Sequence, residues 1–196
     1  MTSIQARQAK QYKRLDLACV SFRECKALTE HLIQLRIVPK SEGATLYSAC
    51  CAGIVVTYAR PFLAADGLGE LPSKYGEGFD SVGMAELHRD LIAVRNKVFA
   101  HRDLIRTKGM KLHPDSDPGL FQSHIVFSRS KTGKGAAIHS EPSLLYIVES
   151  QLPDIVALCG FQIQRISKDA VDLIHHMAGK KLYKLGRYTV GEDFPS

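Results

Sequence analysis

The sequence predicts an all-α fold: an antiparallel bundle of four main helices, with a small β-hairpin-like insertion between the third and the last. Three observations lead there. Apolar residues recur at spacings of three and four over most of the chain, the period of a half-buried helix. Gly and Pro gather in a few short intervals between those stretches, where they mark turns. The four stretches need a common core, and packing their apolar stripes together in a bundle is the economical way to build one.

From Ser3 to Val38 the stripe is Leu15, Ala18, Phe22, Cys25, Leu28, Leu32 and Leu35, and Pro39 is expected to end this first helix. A second helix runs from Ala44 to about Ala65; it is apolar on nearly every side, which predicts a central place, and Pro61 should kink or end it. Residues 66–80 hold five Gly or Pro among acids and Ser and read as a loop. Ser81 suits the cap of a third helix, whose stripe of Met84, Leu87, Leu91, Val94 and Val98 carries it to Asp103 or Leu104.

Residues 105–142 change character, with a turn cluster at His113–Gly119, a β-like run from Phe121 to Phe127 and a Lys- and Gly-rich stretch at Ser130–Gly135. This is the predicted insertion. Pro153 fits the first turn of the last helix, whose inner stripe is Ile155, Cys159, Ile163, Ile166, Ala170, Leu173 and Met177, with Gly179 closing it. Residues 182–196 read as a C-terminal extension, and the whole chain, 1–196, as a single domain.

Composition narrows the class further. The chain has 196 residues, 45% of them hydrophobic, with 26 Lys and Arg against 20 Asp and Glu, so general disorder is excluded and a basic balance favours a polyanionic partner. The charge is uneven: residues 1–40 carry eight Lys/Arg against three acids and residues 105–135 six against two, whereas 41–104 is net acidic. Five Cys with no C-x-x-C spacing read as reduced core residues and not as disulfides or a zinc site. The polar start at 1–14 is no signal peptide, and the longest apolar run, 49–59, is about half the ~20 residues of a membrane span. A cytoplasmic protein that does not enter the membrane is expected.

Most enzyme signatures are missing, including phosphate-cradling Gly-rich loops, G-x-S-x-G and H-E-x-x-H. The third helix is the exception. Its end reads Arg95-Asn96-Lys97-Val98-Phe99-Ala100-His101, placing an Arg-Asn pair and a His on an otherwise apolar element. This run resembles the R-x(4–6)-H motif of the HEPN superfamily. His88 before it, Asp103 after it and Tyr58-Ala59-Arg60-Pro61-Phe62 at the end of the preceding helix make it most similar to the AbiU2-type branch. The order of helices over residues 3–180 carries the rest of the likeness.

The resemblance implies a helical domain that forms a homodimer with the motif helix at the interface. In active members it cleaves RNA without a metal or other cofactor, in a cleft between protomers. The motif match carries over Arg95, Asn96 and His101 as catalytic residues. It also implies a setting in phage defence or toxin–antitoxin systems, with an antitoxin or a nucleotidyltransferase as a further partner. Some members have no demonstrated activity, so a non-catalytic module that binds RNA or protein is the alternative.

The residue types suit the reaction independently of any family. Cleavage by the 2′-hydroxyl needs a base, an acid and a charge on the phosphorane. Histidine exchanges protons near neutral pH, and arginine keeps its charge and grips phosphate with two donors. On a regular helix, six residues put His101 about 120° around and about 9 Å along from Arg95, so the two share no face. His101 extends the apolar stripe, and His88, Arg95 and Arg102 form a second row beside it. One His per chain then predicts a composite site in a two-fold dimer.

Each residue also has a plainer role. His101 and Arg102 suit a helix C-terminus by charge alone, and Arg95 has Glu86 and Asp90 as nearby ion-pair partners. Asn96 either orients His101 or Arg95 or bonds across helices. Arg60 either contacts phosphate or caps the carbonyls of its own helix. The weaker candidates for substrate binding are Arg60, His88, Arg102, Lys108 and Lys111, the last two in a cluster with Arg129, Lys131 and Lys134 that either guides RNA or is a solvated loop. His175 and His176 point about 100° apart and do not suit one metal ion. Tyr12, Phe22 and Tyr47 are expected in the core.

Overall fold

The computed structural model describes residues 3–37, 44–64, 69–96, 122–129, 136–143 and 147–178. The helices are α1 (Ser3–Gln34), α2 (Ala44–Ala59), α3 (Val82–Val94) and α4 (Leu152–Ala178). Two strands, β1 (Gln122–Arg129) and β2 (Ala136–Ser143), pair antiparallel with Gln122 opposite Ser143 and Arg129 opposite Ala136. Helices dominate, and they form a bundle around one core.

The two longest helices, α1 and α4, provide the main interface and run in opposite directions. Cys19 Sγ lies 3.5 Å from Ser167 Oγ, and the thiols of Cys25 and Cys159 interact further along. α2 also runs against α1: Phe22 packs on Tyr58 with ring centroids 5.3 Å apart, Cys25 Sγ donates to Ile54 O, and Leu28 lies against Gly53. A Cβ at Gly53 would sit 3.0 Å from Leu28 Cδ2, so glycine is what permits this approach. The predicted stripes supply the core, with Leu15, Phe22, Leu32, Leu87, Leu91, Val94, Ile155 and Ile166 all buried.

Helix ends follow local chemistry. Ser81 caps α3 as predicted, its Oγ accepting from Met84 N at 3.1 Å. Pro153 occupies the first turn of α4, just after a turn in which Gln151 Oε1 accepts from Val148 N at 3.0 Å. α2 ends at Ala59, passing into a tighter turn at Arg60–Phe62 that contains the predicted breaker Pro61.

The end of α1 departs from expectation. The helix stops at Gln34, ahead of Pro39, because Arg36 turns left-handed at φ 49°. Ile37 N then donates to Leu32 O and Arg36 N to Ile33 O, the two bonds of a Schellman motif. Ile37 tucks against the core, while Leu35, expected on the inner stripe, is 66% exposed. Pro39 itself lies outside the described residues.

α2 is not enclosed on all sides. Tyr47, Cys51, Ile54, Val55, Tyr58 and Ala59 are buried, whereas Leu46 and Val56 are 52% and 39% exposed. A helix with no charged residue thus still turns one face outward. Four of the five cysteines are buried, and all five are free thiols. Tyr12, expected in the core, is only half-buried, unlike Phe22 and Tyr47.

Candidate functional site

The motif begins where α3 ends. Val94 is fully buried, and Arg95 and Asn96 continue the chain in a wider π-type turn, both half-buried. Arg95 Nη1 donates to Asn96 Oδ1 at 3.2 Å. The expected angle between Arg95 and His101 involves residues 97–101, outside the described residues. His101, Arg102, Lys108 and Lys111 lie outside the described residues, as do the predicted last turns of this helix, the bulk of the 105–142 segment and the extension at 182–196.

His88 does not fit a substrate contact. It is 7% exposed and closed in by Phe62, whose ring centroid is 4.7 Å away, Phe79 at 4.9 Å and Tyr58 at 5.9 Å. Its Nδ1 shares a 2.9 Å hydrogen bond with Tyr58 OH. Burial, with Arg165 and Arg89 nearby, pushes its pKa down to about 4. A neutral imidazole enclosed in this way serves packing, and a passing phosphate has no access to it. Burial likewise holds the Tyr58 hydroxyl protonated, well above the usual tyrosine range.

Arg60 is exposed on the turn after α2 and forms a 3.6 Å ion pair with Glu24 of α1. Arg60 and His88 therefore lie at one end of the α2–α3 pairing, through the Tyr58–Phe62 segment. Arg95 lies two helical turns beyond His88, about 10 Å of rise. The structure joins His88 to the aromatic segment and Arg95 to Asn96, and it does not gather these candidates around one point.

A second polar constellation was not foreseen. Gln162, Arg165 and Asp169 project from α4 at helical spacing and fasten the segment Ser73–Phe79. Gln162 Nε2 donates to Tyr75 O at 2.8 Å. Arg165 Nη1 and Nη2 donate to Glu77 O and Lys74 O at 2.9 and 2.6 Å. Asp169 Oδ2 accepts from Lys74 Nζ and Tyr75 OH, both at 2.5 Å. Partial burial alone would raise the Asp169 pKa, but the bonds from Lys74 and Tyr75 outweigh it and hold the carboxyl low. Arg165 also stacks over Phe161 at 5.0 Å from the ring centroid. The sequence did hold a signal, since Gln162 interrupts an apolar stripe.

This fastening delivers Phe79 to His88. It is structural in character, for Gln162 and Arg165 bond backbone carbonyls and Asp169 bonds Lys74 and Tyr75 of the fastened segment. Elsewhere a cleft of about 280 Å³ opens between α3 and the start of α4, with Glu86, Asp90 and Asp154 on its walls. Among its described lining residues these carboxyl groups stand with no Lys or Arg. Among the described residues no three His, Cys, Asp or Glu side chains gather as metal ligands, and no helix is long and apolar enough to cross a membrane.

Fold and site together define a helical-bundle protein with a basic-polar motif at the exit of its third helix. No protein family, no curated protein and no solved structure matches the chain.

Proposed function

We propose that the chain is a HEPN-like, metal-independent endoribonuclease that acts as a homodimer. The single observation carrying this reading is the Arg95–Asn96 pair, held together at the exit of α3 and followed six residues later in the sequence by His101. The four-helix bundle agrees with the all-α fold this reading calls for.

In this reading Arg95 holds the scissile phosphate and balances the charge that accumulates on the phosphorane, while Asn96 fixes the guanidinium. His101 exchanges the protons. The substrate 2′-hydroxyl loses its proton as its oxygen attacks phosphorus, and the 5′-oxygen leaves with a proton, giving a 2′,3′-cyclic phosphate and a 5′-hydroxyl. Acid and base act on opposite sides of the phosphate, so one His from each protomer is the natural arrangement in a two-fold dimer with the motif helix at the interface. The 105–142 segment is read as an insertion into the bundle, with Lys108 and Lys111 at its basic start. A cytoplasmic setting in phage defence or a toxin–antitoxin pair, with an antitoxin or nucleotidyltransferase as partner, belongs to the same reading.

A second reading, a non-catalytic RNA- or protein-binding module, draws on the enclosure of His88, which removes the nearest preceding histidine of the motif helix from proton transfer. One experiment separates them. The purified protein is incubated with mixed RNA in excess EDTA, beside Arg95→Ala and His101→Ala variants verified as folded. Cleavage by the wild type alone supports the nuclease. Equal cleavage by the variants refutes the assignment, and an inert wild type that still binds RNA favours the module.

A further inference from the structure

We infer that the outward face of the first half of α1 is a strip that docks into the groove between α3 and α4 of a second copy of this chain, so that copies associate head to tail. The contact is separate from the Arg95 motif and from RNA. Arg7, Lys10 and Lys13 are exposed on α1, and the first fifteen residues of the chain hold no acid. Leu17 and Val20 follow, 51% and 40% exposed. At about 100° per residue these five fall within an arc of about 140°, with Asp16 about 40° outside it. One exposed face of α1 is therefore basic at its start and apolar further on. Glu24, a turn beyond Val20, is tied to Arg60.

The groove is the counterpart of this strip in both charge and apolarity. Met84, Leu87 and Ala157 line the cleft of about 280 Å³ between α3 and α4, and its carboxyl groups are those of Glu86, Asp90 and Asp154. Val82, next to Gly83 in the chain, adds an exposed apolar group. Arg89, the one arginine of α3, bends back onto Ala85 O. The lengths also agree: Gly83 to Asp90 on α3 and Lys10 to Leu17 on α1 are each seven residues apart, about 10 Å of helix rise.

The occupant is a second copy because one chain cannot bring its own two surfaces together. α1 and α3 each pack on α2 and α4 and so face each other across the core, which turns the outward face of α1 away from the α3 side. A strip on one copy and a groove on the next make a heterologous contact, which repeats along an open chain or closes into a ring. Burial of Leu17 and Val20 against the apolar lining supplies the non-directional attraction, and the opposed charges set orientation and register.

Sedimentation velocity of the full chain at several concentrations reads the association. Raising the salt from about 0.01 M to about 1 M shortens the screening length from about 30 Å to about 3 Å and should lower the weight-average mass. Lys10→Glu with Lys13→Glu should weaken self-association about tenfold or more, and Glu86→Lys with Asp154→Lys should do the same. Mixed in equal amounts, the two variants should associate as the wild type does, because the acidic strip then meets a basic groove and the basic strip an acidic one. Circular dichroism melts verify folding, and Asp154→Lys alone, at an exposed position, replaces the groove pair if that pair fails to fold. Association that neither reversal weakens, or a mixture no larger than its components, overturns the contact and leaves the nuclease reading standing. A wild-type mass that neither rises with concentration nor falls with salt also overturns it. Binding of a labelled oligoribonucleotide by that unassociated chain, lost in the Lys10→Glu and Lys13→Glu variant, would then assign the strip to nucleic acid.

Discussion

The enclosed His88 makes the stability of the bundle depend on pH in a defined direction. Burial beneath Phe62, Phe79 and Tyr58 holds its pKa near 4, against 6.5 for an ordinary histidine. Between those values the unfolded chain takes up a proton that the folded chain refuses. The contribution is therefore fully present above pH 6.5 and is lost as pH falls toward 4 and below. At about 1.4 kcal/mol per pH unit the whole effect is about 3.5 kcal/mol, of which about 2.5 kcal/mol is gone by pH 4.5. His88→Gln keeps a polar partner for Tyr58 and removes the titration, at the expense of ring packing. Urea unfolding of both proteins from pH 7.5 to 4.5 isolates the effect, since carboxylates contribute equally to each. The stability advantage of the wild type should narrow by about 2.5 kcal/mol across that range. An unchanged gap, or a His88 ring resonance titrating near 6.5 by NMR, would refute the reasoning.

Other expectations are open to direct measurement. Arg165→Met removes two bonds to backbone and a stacked cation, and should cost about 2–3 kcal/mol with faster proteolysis confined to residues 73–79. Arg36→Gly relieves a left-handed residue and should raise stability by about 0.5–1 kcal/mol in thermal melts. Ser81→Ala should lower it by about 1 kcal/mol through loss of the α3 cap. Val56→Lys, on the outward face of α2, should change monomer stability by no more than about 0.5 kcal/mol, whereas Ile54→Ala, on the buried face of the same helix, should cost about 2–4 kcal/mol.

Periodicity made the helices legible, because the three-four spacing of Leu87, Leu91 and Val94 or of Ile155, Cys159, Ile163 and Ile166 arises directly from packing of one face on the core. Pro153 and Ser81 were readable for the same reason that they work, as residues whose backbone or side chain suits a first turn. The stop of α1 was not readable, since an arginine in a left-handed conformation has no compositional mark and Pro39 supplied a more obvious breaker. α2 misled in another way: lack of charge implied enclosure, yet apolar composition sets no limit on which face stays outside. At the candidate site, the chemistry of Arg95 and Asn96 was legible and their mutual bond was not. His88 shared a helical row with Arg95, but its fate was decided by Phe62 and Phe79, from segments whose approach only the tertiary fold specifies.

The pairing of the first helix with the last governs when this chain can fold as well as how. Cys19 and Ser167 meet across 148 residues of sequence, and a ribosome adding about 5–20 residues per second needs about 7–30 s to span that interval. Throughout that time α1 has been synthesised with its apolar stripe and lacks the partner that covers most of it. α2 can shield part of it, through Phe22 and Tyr58, soon after it emerges. A nascent chain arrested ahead of α4 should accordingly bind a holdase chaperone, and release it once Leu152–Ala178 has cleared the exit tunnel.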